Sequence, residues 1–134
     1  MNPLMETMKM LTQMTIEDWE AIRYFSKEEF DCQHTGNNLM KLEFLRKLEE
    51  LRDLCGFPFV ITSGYRDPKH PIEAKKAILG THAQGIAADI KIGYGGDRRK
   101  LVEKALELGF GGVGVAKDFV HVDIREGLPV LWGY

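Results

Sequence analysis

The sequence predicts one α+β domain in which a small antiparallel sheet is flanked by helices. Two stretches carry apolar residues at helical spacing, and four short apolar runs bounded by turn residues are typical of strands. The 134 residues are 44% hydrophobic and 28% charged, which is ordinary for a folded domain with its own core. Because no repeat or low-complexity linker divides the chain, we expect residues 15–134 to form a single domain.

Residues 1–14 are rich in methionine and are expected to form a flexible leader. Glu6, Lys9 and Gln13 interrupt this segment, so it lacks the continuous apolar run of a secretory signal. No stretch approaches the roughly 20 apolar residues of a membrane span. We therefore expect synthesis in the cytoplasm without a signal peptide, and no membrane span.

The first helical elements are marked by their N-terminal residues. Thr15 and Asp18 have the spacing of a capping box and predict a helical turn through Ile22, and Ser26 and Glu29 repeat that spacing.

The longest predicted helix follows Asn38, a residue type suited to cap it. Gly56 is placed to end this helix, because glycine readily adopts positive φ. Its apolar face is predicted from leucines at helical spacing, namely Leu42, Leu45, Leu48, Leu51 and Leu54.

The strands come next. Residues 59–62 predict a strand that ends at the turn-prone Ser63-Gly64, and a short helical segment is expected near residues 73–78. Residues 86–92 predict a second strand.

The last third of the chain contains a second helix and two further strands. Asp97 is expected to cap the helix and Gly109 to close it. Residues 113–115 and 119–124 predict strands joined by a tight connection at residues 116–118. The apolar face of the helix is Leu101, Val102, Ala105 and Leu108.

Charge and cysteine content argue against two classes of protein. The 18 basic residues nearly balance the 20 acidic ones, for a formal net charge of -2. Nucleic-acid-binding proteins usually show a basic excess or stripe, so no nucleic-acid partner is expected. Cys32 and Cys55 match neither a disulfide framework nor a cysteine-based zinc site.

His121 and Asp123 share one face of the predicted strand 119–124, because strand side chains alternate. A histidine and a carboxylate on an apolar strand need polar partners there. One interpretation is a buried histidine bonded to Asp123. The other is a metal ligand.

Asp89 interrupts the apolar strand 86–92, where a carboxylate is costly unless it is paired or bound to metal. Arg66 or Arg125 could be its structural partner. Alternatively, His82 in the preceding loop could reach the same point. Two histidines and one carboxylate would suit a catalytic zinc that keeps a fourth position for water.

Two further residues have candidate catalytic roles. Asp118 lies three residues before His121 and could act as general base and acid, although aspartate is also common in turns. Arg66 could bind a substrate carboxylate or stabilise a developing negative charge. It could equally be a surface arginine or the partner of Asp89.

Three segments resemble the zinc D-Ala-D-Ala carboxypeptidase and dipeptidase family. Residues 81–89 look like its His-x-x-Gly-x-Ala-x-Asp signature, residues 119–123 look like its second metal motif, and residues 63–66 resemble the segment with its substrate-polarising arginine. The similarity extends from about Tyr24 to Trp132. Two positions differ, since Gly80 stands where relatives commonly have serine and Pro71 follows His70 where they often have asparagine.

Carried over residue by residue, the resemblance implies the following site. One zinc ion would be held by His82, Asp89 and His121. Asp118 would be the acid/base carboxylate and Arg66 the substrate-polarising arginine. Asp123, Ser63 and Tyr65 are expected to support the ligands or to bind substrate. The family fold is a small α+β domain shared with phage L-alanyl-D-glutamate endolysins and the hedgehog signalling domain.

The resemblance implies a zinc metallopeptidase that hydrolyses peptidoglycan stem peptides, either as a D-Ala-D-Ala carboxypeptidase or as an endolysin-type endopeptidase. Its expected place of action is the cell wall, after release by a holin or delivery in a phage virion. Two alternatives stay open. One is a catalytically weak cell-wall-binding or virion module that keeps its zinc, and the other is a metal-free domain in which Arg66 pairs with Asp89.

Overall fold

Residues 13–134 are described by a computed structural model, so residues 1–12 of the expected leader lie outside the described part of the chain. Met14, the last residue of that segment, is only 8% exposed and packs into the hydrophobic core. Among the described residues, no helix has the length and apolar content needed to cross a membrane.

The architecture is α+β, as predicted. The helical elements are α1 (Ile16–Glu20), a 3-10 turn (Lys27–Phe30), α2 (Leu42–Cys55), α3 (Pro71–Ala74) and α4 (Gly96–Glu107). The strands are β1 (Val60–Ser63), β2 (Ala87–Lys91), β3 (Gly112–Val115), β4 (Phe119–Asp123) and β5 (Val130–Gly133).

All five strands form one sheet in the order β1-β2-β4-β3-β5. Neighbouring strands are antiparallel except β3 and β5, which are parallel. Ala116 N–H donates to the carbonyl of Phe119 at 2.9 Å, which closes the predicted tight connection between β3 and β4. Strand β5 was not predicted, and the short helical segment expected near residues 73–78 begins earlier, at Pro71.

The start of α2 corrects one prediction. Asn38 does not cap this helix, whose N-cap is Lys41 without a side-chain hydrogen bond. The Asn38 amide instead donates to the carbonyl of Lys27 and to Asp31 Oδ1, both at 3.1 Å. Its oxygen accepts from Met40 N–H at 3.0 Å. The side chain therefore fastens the incoming loop to the 3-10 turn.

The buried face of α2 also differs from the predicted leucine stripe. Leu54 is 46% exposed, whereas Phe44, which was not part of the stripe, is fully buried. The reason is geometric. A helix has 3.6 residues per turn, so each three-residue step falls about 60° short of a full turn and the stripe rotates off the buried face. Gly56 ends α2 with a φ of 74°, as predicted.

The start of α4 corrects a second prediction. The N-cap is Gly95, and Asp97 lies within the first helical turn instead of capping it. Its carboxylate still suits that position, because negative charge is favourable near the N-terminus of a helix. Gly109 follows the helix with a φ of 76°, as expected for a residue that closes it.

The core lies between the helices and one face of the sheet. Residues on alternate positions of β2 and β4 point into it, and all are at most 1% exposed: Ala88, Ile90, Val120 and Val122. The intervening positions, Asp89, His121 and Asp123, therefore lie on the opposite face. That face carries the candidate site.

Candidate metal centre

Two neighbouring strands place a carboxylate beside a histidine. Asp89 of β2 is the register partner of His121 of β4, so their side chains emerge side by side on the same face. His82 arrives from the loop before β2. That loop turns at Gly85, where φ is 76° and a Cβ atom would collide with the carbonyl of Leu39. Glycine is required there, and the turn brings His82 onto the strand pair.

The three predicted ligands converge. His82 Nε2 lies 3.2 Å from Asp89 Oδ1 and 3.2 Å from His121 Nδ1. His121 Nδ1 lies 3.0 Å from the same Asp89 oxygen. All three residues are at most 6% exposed. Among the described residues, they are the group of histidine, cysteine, aspartate and glutamate side chains that could hold a metal.

Hydrogen bonds on the far side of each imidazole define its tautomer. His82 Nδ1 lies 2.8 Å from the carbonyl oxygen of Gly64, which only accepts, so this nitrogen carries the hydrogen. His121 Nε2 lies 2.7 Å from Asp123 Oδ2 and likewise carries a hydrogen. The neutral rings therefore direct the lone pairs of His82 Nε2 and His121 Nδ1 towards Asp89.

The ionisation of the site shows how strongly Asp89 attracts positive charge. Burial raises the pKa of Asp89, but the contacts with His121 and His82 outweigh it and hold that pKa well below its usual range. Burial likewise raises the pKa of Asp123, but hydrogen bonds from His121 and Arg125 hold it well below its usual range. Both carboxylates are thus ionised. Burial lowers the pKa of His121, but its contacts with Asp123 and Asp89 outweigh burial and raise that pKa above its ordinary value. A proton on His121 Nδ1 therefore competes with a metal cation for the position beside Asp89.

This arrangement fits a zinc ion. Two nitrogen lone pairs and a carboxylate oxygen facing one point repel each other unless a cation lies between them. Tetrahedral zinc with bonds of about 2.0–2.1 Å separates its ligand atoms by about 3.3 Å. The separations of 3.0 to 3.2 Å among His82, Asp89 and His121 are close to that value. The donor set of two imidazoles and one carboxylate is also typical of catalytic zinc.

Asp123 is itself held in place. Arg125 donates to it through Nε at 2.9 Å, Nη2 at 2.7 Å and its backbone N–H at 3.0 Å. The Arg125 guanidinium also lies 5.1 Å from the ring centroid of Trp132 in β5. Opposite Asp123, Gly112 leaves the space for this carboxylate, since a Cβ there would lie 2.6 Å from Asp123 Cγ.

Arg125 and Gly112 were not predicted in these roles, whereas Asp123 was expected to support the ligands or to bind substrate. Arg125 was considered only as a partner of Asp89, and it pairs with Asp123 instead. Gly114 is the register partner of His121 and leaves room for the Trp132 ring. A Cβ atom at Gly114 would lie 2.5 Å from the nearest atom of that ring. Glycine at alternate positions of β3 was the available signal, because a strand glycine often marks a close approach by another group.

The three candidate ligands lie in an open cleft of about 620 Å³. Phe119, Trp132 and Tyr134 form its aromatic side, and Arg66 and Lys76 are among its cationic residues. Trp132 and Tyr134 thus line the cleft, and the ring of Trp132 lies 5.2 Å from that of His121. Arg66 Nη2 is 3.5 Å from Asp89 Oδ2, a long contact that leaves the guanidinium facing the cleft.

The remaining predicted residues lie further from the ligands. Asp118 is exposed in the connection between β3 and β4 and is not among the cleft-lining residues, although its neighbour Phe119 is. Ser63 lies opposite Asp89 in the sheet register and is half-buried. Tyr65 is only 3% exposed, and burial raises the pKa of its phenol to about 12. It borders a different cavity, together with Asp67 and Asn37.

Comparison with known sequences agrees with this site. Residues 23–123 match the family described as Peptidase M15, whose members are zinc-dependent metallopeptidases. A comparison with curated proteins finds no match. The matched segment covers most of the chain and includes His82, Asp89 and His121. The expected family is therefore confirmed, and this chain belongs to the Peptidase M15 family.

Proposed function

We propose that this protein is a zinc peptidase that hydrolyses peptidoglycan stem peptides. The proposal rests on the orientation of two histidines. One ring nitrogen of each is hydrogen-bonded, to Gly64 for His82 and to Asp123 for His121. The other nitrogen of each ring therefore directs its lone pair towards Asp89, in an open cleft. Such a preset donor group supports metal binding at a place that a peptide can reach. The family supports peptide hydrolysis as the reaction.

His82, Asp89 and His121 would hold one zinc ion. When bound, zinc supplies a Lewis acid that polarises a carbonyl and lowers the pKa of coordinated water to about 7. Arg66 faces the same cleft and would orient the peptide or stabilise negative charge on the scissile carbonyl. Asp118 would move the proton from water to the leaving amine. Its support is its place beside Phe119, a cleft residue.

Two peptide bonds of the stem peptide are candidates for cleavage. The protein would remove a terminal D-Ala as a carboxypeptidase or cut within the stem peptide as an endolysin. We propose that it acts on the cell wall as a phage-type lysin, released by a holin or carried in a virion. The cleft is open and lined by several aromatic side chains, which suits a peptide that forms part of a larger polymer.

A second candidate is a cell-wall-binding or virion module that holds zinc but hydrolyses peptides poorly. The exposed position of Asp118, outside the cleft lining, favours this candidate. The two functions differ in what Asp118 does. In the enzyme, Asp118→Asn abolishes hydrolysis while zinc binding is kept, because the exposed turn does not hold the metal. In a binding module, the variant and the parent behave alike on every peptide.

The test is digestion of purified peptidoglycan by the zinc-loaded protein, with released peptides identified by mass spectrometry. Protein stripped by a chelator and protein restored with zinc are run alongside. Zinc-dependent release of D-Ala or of a cut stem peptide is expected, and the product identifies the bond. Bound zinc without any product would favour the binding module, and absence of bound zinc would refute both candidates.

A further inference from the structure

A buried carboxylate organises the cleft wall formed by residues 71–80. The side chain of Glu73 in α3 is completely buried, whereas that of its partner Lys76 is 41% exposed. Glu73 Oε1 accepts from Lys76 Nζ at 2.9 Å, and Glu73 Oε2 accepts from the N–H of Gly80 at 3.1 Å. Because one member is fully buried, this pair is not an ordinary surface salt bridge. It fixes where the ammonium group of Lys76 lies.

Gly80 provides the space for that ammonium group. A Cβ atom at Gly80 would lie 2.7 Å from Lys76 Nζ and 3.1 Å from Glu73 Oε1. The lysine head therefore lies against the bare backbone of Gly80, two residues before the ligand His82. Any larger residue at Gly80 would displace it.

The ammonium group keeps hydrogen-bonding capacity for a ligand. A lysine ammonium has three donors, and within residues 13–134 Glu73 is the partner found for Lys76 Nζ. Lys76 and Arg66 both line the cleft that contains His82, Asp89 and His121. Arg125 lines it too, but its guanidinium is bonded to Asp123. Among the described residues that line the cleft, Asp89 is the acidic residue, and its carboxylate faces His82 and His121.

We propose that Lys76 is a specificity-determining residue that binds a carboxylate of the peptide next to the metal centre. Glu73 holds its ammonium group in position, and the absence of a side chain at Gly80 leaves the space for it. The inference rests on the proposed peptidase function and adds a substrate preference to it. A peptide with a free carboxylate close to the bond that is cut would bind better than the same peptide with an amide there. The higher affinity for the acid would come from a charge-assisted hydrogen bond between the Lys76 ammonium group and the peptide carboxylate.

The experiment is an NMR titration of the zinc-loaded protein with N-acetyl-D-alanine and, separately, with its carboxamide. Neither probe needs to be hydrolysed, so the result does not depend on turnover. We expect the acid to bind about tenfold more tightly than the amide, with the largest shifts at the amides of Gly80 and Thr81. Lys76→Met should reduce this ratio severalfold, and Arg66, which lines the same cleft, accounts for the preference that remains. Lys75→Met, which removes an exposed neighbouring ammonium outside the cleft, should leave it unchanged.

Two further variants guard against a folding defect, since Lys76→Met alone leaves the Glu73 carboxylate buried without its cation. The double variant Glu73→Gln/Lys76→Met removes both charges and should reduce the preference by the same factor as Lys76→Met. Gly80→Ser should weaken it while keeping the lysine, because the new side chain pushes the ammonium away. Circular dichroism and the melting temperature verify that each variant is folded.

The outcomes separate this inference from the proposed function. If Lys76→Met and the double variant keep the wild-type preference, or if the wild type has none, the role of Lys76 is refuted even when peptidoglycan is digested. If the wild type prefers the acid through Lys76 but digests no peptidoglycan, the carboxylate site is supported and the peptidase function is refuted.

Discussion

His121 Nε2 lies 2.7 Å from Asp123 Oδ2, and the two residues are separated by one position of the same strand. Alternation along β4 puts both on the sheet face that carries the site. The strand therefore supplies a candidate metal ligand together with the carboxylate that selects its tautomer. Arg125 in turn holds Asp123 in place. A short stretch of chain thus contains much of the support for the candidate metal centre.

Asp123→Asn is expected to lower zinc affinity by about 10- to 100-fold. An amide lacks the negative charge that favours the Nε2–H tautomer of His121. The tautomer with its hydrogen on Nδ1 then becomes accessible, and it has no lone pair there for the metal. Competition with a chromogenic chelator measures the change. Asp118→Asn is the matched control, because it makes the same chemical change at an exposed residue and should leave zinc affinity unaltered. Equal zinc affinity in the two variants would contradict the role of Asp123.

Zinc is expected to stabilise the folded chain. A ligand that binds only the folded state adds about 2.7 kcal/mol to the free energy of unfolding when its concentration is about 100 times Kd. For a domain of this size the melting temperature should rise by roughly 5–10 °C. Thermal unfolding with added zinc and with a chelator measures the shift. His121→Gln should abolish it, and His34→Gln, at an exposed histidine, should preserve it.

A melting temperature that does not respond to zinc would support the metal-free alternative. In that case Arg66 would be the structural partner of Asp89. Their contact of 3.5 Å is long for a charge-assisted hydrogen bond, which is the reason that we expect the metal to dominate.

Gly112→Ala tests whether the glycine of β3 makes room for Asp123. The new Cβ would lie 2.6 Å from Asp123 Cγ, and Asp123 is fully buried and held by Arg125. We expect the free energy of unfolding to fall by about 1–3 kcal/mol, as is typical of overpacking, and zinc affinity to fall with it. Urea denaturation and chelator competition measure the two effects.

The control for that substitution is Gly93→Ala. A Cβ at Gly93 meets no atom within 4 Å, so this alanine should change neither quantity appreciably. If Gly112→Ala were as stable as this control and bound zinc equally well, the close approach of Asp123 to β3 would have no energetic consequence.

The cluster of His82, Asp89 and His121 could be predicted from the sequence because local patterns mark its members. Strand alternation placed His121 beside Asp123, and a carboxylate in an apolar run singled out Asp89. The supporting contacts could not be predicted in the same way. Whether Arg125 meets Asp89 or Asp123 depends on the direction of a side chain that follows the strand, which spacing does not determine.

Contacts between distant segments explain the other differences. Strand β5 is short and pairs in parallel with β3, so its pattern is weak and its pairing depends on the rest of the sheet. Asn38 had a suitable side chain for a helix cap, but tertiary bonds to Lys27 and Asp31 hold it elsewhere. The Glu73–Lys76 pair could not be predicted because it depends on the burial of Glu73. Glutamate is almost never fully buried, so nothing in the sequence indicated that burial.

The buried Glu73 carboxylate is expected to make stability depend on acid pH. Burial raises the pKa of Glu73, but hydrogen bonds from Lys76 and from the N–H of Gly80 outweigh it and lower that pKa below the ordinary value of 4.5. A group whose pKa is lower in the folded state stabilises the fold above its unfolded pKa. That contribution disappears as the pH falls through the folded pKa.

The comparison that isolates this contribution is wild type against Glu73→Gln, because the other carboxylates titrate in both proteins. Their difference in free energy of unfolding should be largest near pH 6–7 and should shrink as the pH falls below about 4.5. Urea denaturation from pH 3 to pH 7 measures it. Glu50→Gln, at an exposed position of α2, should show no such pH-dependent difference. A constant difference between wild type and Glu73→Gln across this range would mean that Glu73 stabilises the loop by packing and not through its charge.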